Sequence, residues 1–376
     1  MKNYYFLILC VFVAGCRYLK PTSEDETTIY VVNLDNAVKK SYSLSHFVDS
    51  IEYVHLQAHL TEYVYPLEIS ENYILLKDLQ RIMLFHRDGR YIQQIGRAGN
   101  GPGEYPNEVY DVLLDEKYNS LYILTLFEGQ IYKYDFNGNF ITKFTIGHNA
   151  DFFGLVEPGY IIVHIGNWAG DKDNRFVVIN DQGQVVNEFK NPYKYAVKQG
   201  RPWRQEGFKY IYNNRLHIKD KGDTLFMISK DRQLIPRFVF KSECSIPSHS
   251  LTDEQYHEAI LFLSAFETSN RLHFTFYSCQ SIGGRKSINH GYFDKETGKT
   301  FVYKPEKNES NIKNDIDDGY YFNWFQKNNF LIAPRMDFDE EKLVHVKPAV
   351  REKIEKYRSS IHDDDPAFMA ILHLKQ

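Results

Sequence analysis

Short apolar runs opened by Asn or Gly recur along the whole chain: "NYILLKD" from Asn72, "NSLYILT" from Asn119, "GYIIVHI" from Gly159, "NRLHIKD" from Asn214, "NRLHFTF" from Asn270 and "NNFLIAP" from Asn328. Each has the form of a turn followed by a strand, because Asn and Gly accept turn geometry while β-branched and aromatic residues suit a half-buried pleated surface. Downstream of the first three and of the fifth lies a second pattern, apolar-x-x-Asp/Asn-x-Gly: "LFHRDGRYIQQIG", "IYKYDFNGNFITKF", "VVINDQGQVVNEF" and "GYFDKETGKTFVY". These predict hairpins closing on Gly89, Gly138, Gly183 and Gly298, since Gly tolerates the positive φ such turns require. The fourth unit, "FMISKDRQLIPRFVF", carries no glycine. Each unit thus holds about four strands and recurs every 40 to 60 residues or so, the period of propeller blades. A blade buries both faces only against its neighbours, so the ring must close to hide its last edge. "SIEYVHLQ" near the N-terminus and "FMAILHLK" at the C-terminus are strands without hairpins of their own. They are expected to complete the last blade around "GYYFNWF" and "NNFLIAP". The pattern therefore predicts an all-β, six-bladed β-propeller closed by strands from both termini. Helical patterns do not alternate with the strands, which disfavours an α/β fold.

Two stretches read as helical insertions lying on a face of the ring. "SLTDEQYHEAILFL" has Thr252 as a cap with Gln255 three residues on, and "KPAVREKIEKYRSSI" puts Pro348 at a helix start with Val350, Ile354, Tyr357 and Ile361 on one stripe. Another segment, "QQIGRAGNGPGEYPNEVYDV", crowds Gly96, Gly99, Gly101 and Gly103 together. A phosphate-cradling loop opens directly into a helix, with its amides at the positive end of the helix dipole. Here Pro102 and Pro106 intervene and the run "VYDVLLD" follows, so the segment reads as a bend from strand to strand.

Composition supports the strand reading, with aromatics at 15% of the chain, 28 Tyr and 27 Phe among them. The net charge is only -4 with both signs interspersed, so no electrostatic footprint for nucleic acid is present. The N-terminus, "MKNYYFLILCVFVAGC", has a basic Lys2, an apolar run too short to stay across a bilayer, and small residues before Cys16. Residues 1–15 are read as a lipoprotein signal peptide, 16–28 as a polar tether and 29–376 as a single propeller domain. Cys10 would leave with the signal, and Cys244 and Cys279 remain. An oxidising compartment permits a bridge between these two, while their types and spacing fit two small buried hydrophobes equally well. No paired Cys-x-x-Cys metal motif exists, and neither a metal nor a cofactor is expected.

The "GRAGNGPGEY" bend, preceded by "FHRDGRYIQQI" and followed by "DVLLDEKYNSLYIL", resembles the repeat of NHL-type propellers. The cleavage motif at Cys16, the "SHFVDSIEYVHLQ" opening, the same bend and the "DDDPAFMAILHLKQ" ending together resemble the six-bladed β-propeller lipoproteins of Gram-negative gut-type bacteria. "DPAF" stands where that family has Asn-Pro before its closing strand. The resemblance covers nearly the whole mature chain. It implies lipidation at Cys16 and an outer-membrane location, periplasmic or surface-exposed, but supplies no catalytic residue, because most members have no established biochemistry.

Candidate chemistry is sparse. His217 and His273 share a column of the aligned second strands with Tyr122, Leu75, Ile161 and Leu331, which reads as packing between blades rather than a metal ring. Asp78, His164 and Asp220, with Thr125, occupy a later column at the strand ends and are the channel-mouth candidates, with turn capping as the structural alternative. The acidic runs "DFDEE" and "HDDDP" read as solvated or capping charges. Loops pairing aromatic with basic or acidic residues supply the ligand-binding candidates: Trp168 and Arg175, Trp203 and Arg204, Arg335 and Asp337. A flat ring covers an apolar face while Arg and Asp hold polar groups, which suits a sugar or a peptide. The expected function is a lipid-anchored binding or scaffold module of the cell envelope for a glycan or a protein or peptide partner. The alternatives are an enzyme, lyase or hydrolase, with its site in the central channel, and a structural subunit of an envelope complex.

Overall fold

The structure is a computed structural model that describes residues 28–375 apart from 62–63, 80, 107–108, 126–128, 168, 195–206, 248–257, 283–284, 305–311, 317–324, 328–329, 334–346 and 360–366. Three strands come first: β1 (Tyr30–Asn33), β2 (Val38–Lys40) and β3 (Val48–Leu56). The first blade follows as β4 (Val64–Ile69), β5 (Tyr73–Asp78), β6 (Arg81–His86) and β7 (Tyr91–Gln94), and the second as β8 (Val109–Asp115), β9 (Ser120–Thr125), β10 (Gln130–Asp135) and β11 (Phe140–Thr145). The third comprises β12 (Ala150–Glu157), β13 (Tyr160–Ile165), β14 (Asn174–Asn180) and β15 (Val185–Lys190). The fourth comprises β16 (Phe208–Tyr212), β17 (Arg215–Lys219), β18 (Thr224–Ile228) and β19 (Leu234–Lys241). The fifth is β20 (Leu261–Glu267), β21 (Arg271–Ile282), β22 (Arg285–Asp294) and β23 (Lys299–Tyr303). In the sixth, β24 (Phe325–Lys327), β25 (Phe330–Ala333) and β26 (Ala367–Leu374) are joined by β3, which pairs antiparallel with β26 from Ala367↔Leu56 onward. Both termini close the ring, as the pattern of unpaired strands required.

The apolar core is not one mass but six seams, each between consecutive blades. Ile74 and Phe85 of the first blade pack with Met369 and Ile371 of the sixth, and Leu75 and Leu84 pack with Val112 and Ile123 of the second. Tyr122 and Ile131 meet Phe153 and Val163, Phe176 and Val178 meet Leu216 and Ile218, Tyr210 and Phe238 meet Leu272 and Phe274, and Phe266 meets Leu331 and Phe368. Successive side chains of a strand point to opposite faces, so one strand feeds the seams on both sides of its blade. That is why β5, β9 and β13 read as continuous apolar runs rather than as alternations.

The hairpins close as the sequence predicts, with positive φ at Gly89, Gly138, Gly183 and Gly298, and the glycine-free fourth unit places Arg232 in the left-handed region instead (φ 58°). The "GRAGNGPGEY" segment carries the chain from β7 to β8. Tyr105 is buried there, and Tyr134 Oη donates to the Gly103 carbonyl (2.9 Å). Helix α1 (Pro348–Ser359) begins at the expected proline. The other expected helix needs correction: its first part lies outside the described residues, and from Leu261 the chain is strand β20. Pairing with β21 and burial of Leu261, Ala265 and Phe266 in the ring override the local helical pattern.

Two features had no counterpart in the repeat pattern. Strand β1 adds in parallel to the outer edge of β19 and β2 to that of β23, so the chain straps the fourth and fifth blades before reaching the sixth. The strap inserts Val32, fully buried, into the seam between those blades. Cys244 and Cys279 form a disulfide that ties the segment after β19 to β21.

Candidate functional site

The innermost strands of the blades carry charged residues where apolar ones would otherwise continue. Register shifts between Pro66 and Glu68 in β4, and between Val109 and Asp111 in β8, mark bulges, which re-aim side chains out of the regular pleat. Lys209 of β16 donates through Nζ to Asp111 Oδ2 (2.5 Å), and the amide of Phe153 donates to the same oxygen (3.2 Å). Glu68 is buried beside this pair. Burial raises its pKa, Lys209 and Lys327 oppose that rise, and Asp111 adds to it. Four blades thus contribute to one charged cluster along the inner wall of the ring.

At one end of the ring lies a cleft of about 700 Å³, lined by residues of the first, fourth, fifth and sixth blades. One wall centres on Glu52 of β3. Its carboxylate accepts two hydrogen bonds from the Arg87 guanidinium (3.2 and 2.8 Å) and lies 2.8 Å from His373 Nε2. The same guanidinium stacks over the Phe330 ring, 5.4 Å from its centroid. The opposite wall is the turn Tyr212–Asn213–Asn214, where both asparagines hold positive φ (49° and 55°). Glu71 and Lys375 add one exposed charge of each sign.

The floor is a buried ionic network centred on Glu267, whose side chain is 0% exposed. Arg237 Nη2 (3.0 Å) and Lys295 Nζ (2.6 Å) both reach Oε1, and Tyr210 Oη donates to Oε2 (3.1 Å). His217 lies flat on Tyr210 (ring centroids 4.8 Å apart, planes at 6°) with Nε2 3.6 Å from the carboxylate. Burial lowers its pKa to about 4 in spite of Glu267. Two cations on one carboxylate supply the compensation that a desolvated charge needs.

The residues singled out in the sequence fall elsewhere. Asp78 ends β5, Asp220 follows β17 and His164 lies near the end of β13. All three stand at the far ends of second strands whose starts border the cleft or its equivalent in other blades. Asp78 is fully buried, accepts from the Thr61 hydroxyl and pairs with Arg81. Asp220 accepts from Arg175 Nη2 (2.5 Å), and Arg175 lies in β14 with its guanidinium over Phe226. The structure thus joins Arg175 to Asp220 but not to Asp78, and His164 is set beside Asp151 instead. Cys16, Trp168, Trp203, Arg204, Arg335 and Asp337 lie outside the described residues. His217 and His273 are packed between blades, the latter flat on Phe266 (planes at 9°). Glu68, Asp111 and Lys209 lie in the first strands of their blades, outside the column of second strands in which the other candidates fall. A charge inside "YPLEIS", "VYDVLL" and "FKYIY" is the signal that would have found them.

A family model described as a domain of unknown function (DUF4934) matches residues 29–372, nearly the whole chain. The chain belongs to the DUF4934 family. Among solved structures, a Bacteroides fragilis protein described as exported aligns at 17% identity over 93% of this chain and 100% of its own, with a TM-score of 0.65. A member of the DUF4221 family from Bacteroides vulgatus aligns at 10% identity over 87% of this chain and 97% of its own, with a TM-score of 0.50. At such identities the likeness is one of fold alone. No curated protein matches the sequence significantly.

Proposed function

We propose that this DUF4934 chain is a lipid-anchored module of the cell envelope that binds a glycan or a peptide segment of a partner in the cleft at the end of its ring. The observation that carries the reading is the cleft itself, a space of ligand size whose walls come from four blades. The half-buried Tyr212 and Phe330 rings, each with a cation over one face, line the cleft beside the Asn213 and Asn214 amides and a fixed Glu52–Arg87 pair, a mixture of aromatic and polar groups that polyhydroxylated or peptide ligands use. The motif ending at Cys16 supports the anchor, and the description of the B. fragilis neighbour as exported supports the envelope location. The test is a melting-temperature screen of the chain beginning at Pro21 against glycan and peptide panels, repeated with Tyr212→Ala and Asn214→Ala. A ligand at a hundred times its dissociation constant adds about 2.7 kcal/mol of stability. The reading predicts a shift in the wild type that both variants lose. A ligand whose shift survives both changes would move the site away from the cleft.

The enzyme reading, a lyase or hydrolase in the central channel, draws on Glu68, a buried carboxyl with a raised pKa beside a lysine and a second acid. Any ligand found in the screen is then assayed for turnover, and Glu68→Gln should abolish turnover while leaving the melting temperature in place.

A further inference from the structure

We propose that Asp151 and His164 form the protein half of a divalent-cation site at the seam between the third and fourth blades, at the opposite strand ends from the cleft. Asp151 lies in β12 within the bulge where the register against β13 skips from Ala150 to Phe153, the kind of distortion that turns a side chain out of the pleat. Its side chain is only 5% exposed, and neither carboxylate oxygen receives a hydrogen bond. A buried carboxylate in that state is costly and calls for a positive partner. His164 supplies an imidazole nitrogen beside it, with Nδ1 3.3 Å from Asp151 Oδ2. The imidazole is fixed by a flat stack on Phe152 (4.8 Å, 7°) and by Phe176 at 5.2 Å.

The spacing is informative. Two donor atoms each about 2.1 Å from one ion stand about 3.0 Å apart at a right angle and about 3.4 Å apart at the tetrahedral angle. A separation of 3.3 Å is therefore that of neighbouring ligands on a shared ion. One imidazole nitrogen and one carboxylate oxygen make a mixed donor set suited to Zn²⁺ or Mn²⁺. Among the described residues no third His, Cys, Asp or Glu joins the pair, so Asp151 and His164 are the two donors that the proposal assigns. Arg175, next to Phe176, does not oppose the ion at full strength, because Asp220 engages its guanidinium. Phe152 faces Gly207 of the segment leading into the fourth blade, where an added Cβ would come within 2.9 Å of the ring. Both ligands belong to the third blade, so an ion there would stiffen the wall against which the fourth blade packs.

The experiment is a titration of the purified chain with ZnCl₂ and, separately, MnCl₂, read by native mass spectrometry and by melting temperature. Wild type is expected to retain one ion per chain. At a hundred times the dissociation constant, its folded-to-unfolded ratio should rise about 100-fold. Asp151→Asn, which keeps shape and removes charge, should lose both signals, and His164→Gln should weaken them. Should Asp151→Asn fail to fold, the ion count of His164→Gln against wild type carries the comparison alone. The proposal is overturned if wild type retains neither ion, or if the variants retain it as wild type does.

Discussion

Gly96 sits at φ +53°, and a Cβ placed there would come within 2.6 Å of the Tyr134 ring. Both the left-handed backbone and the close approach demand glycine. Gly96→Ala should cost about 1–3 kcal/mol, measurable as a lowered urea midpoint at unchanged slope, and a variant as stable as wild type would refute this account of the bend. His217 makes a second residue-scale prediction. Its pKa falls from 6.5 to about 4 on folding, so the unfolded chain takes up the proton first. Its contribution to stability is complete above pH 6.5 and is lost as pH falls from 6.5 to about 4. His217→Gln should flatten part of that slope, which denaturation midpoints at about pH 7 and about pH 5 will show. At this scale the turn glycines were legible because φ > 0 leaves a mark in the sequence. The Glu267 network was not, since Arg237 and His217 reach it only where the fourth blade meets the fifth, and Lys295 only through strand pairing within the fifth.

Among elements, the hairpins were readable from local chemistry alone, whereas the two strap strands were not. Strands β1 and β2 are four and three residues long, too short for periodicity to declare itself, and their partners lie across the chain. "AILFL" read as helix for the complementary reason, since nothing local reveals that β21 will pair with it. The disulfide between Cys244 and Cys279 spans 35 residues, and closing a loop of that length stabilises a fold by about 2–4 kcal/mol through the unfolded chain. Replacing both cysteines by serine should lower the denaturation midpoint accordingly. Wild type under reducing conditions should match that variant, and if reduction leaves the midpoint unmoved the bond contributes nothing to stability.

For the molecule as a whole, ring closure is the governing fact. Strand β26 supplies apolar residues to both seams of the sixth blade, with Phe368, Ala370 and Leu372 on one side and Met369 and Ile371 on the other. Removing residues 367–376 should therefore open two seams and leave β25 and β3 without their shared partner. The expected result is loss of the single cooperative melting transition and aggregation on size-exclusion chromatography; a monomeric product with a sharp transition would contradict it. Six blades and two-ended closure were foreseeable because the repeat and the orphan strands are both written in the chain. The cleft was not, because its walls come from residues with no common motif. Closure also fixes an order in time. Glu52 and His373, which meet in the last blade, stand 321 residues apart, so almost the entire polypeptide must be made before β3 finds its partner β26. Within each blade the pairings are local, but this one closure joins distant segments, and the loop entropy it must overcome makes it a late step. Until β26 is made, the first and fifth blades each lack the apolar side chains that Met369, Ile371, Phe368 and Leu372 bring to their seams, so the last segment synthesised is the one that turns an open row of blades into a ring.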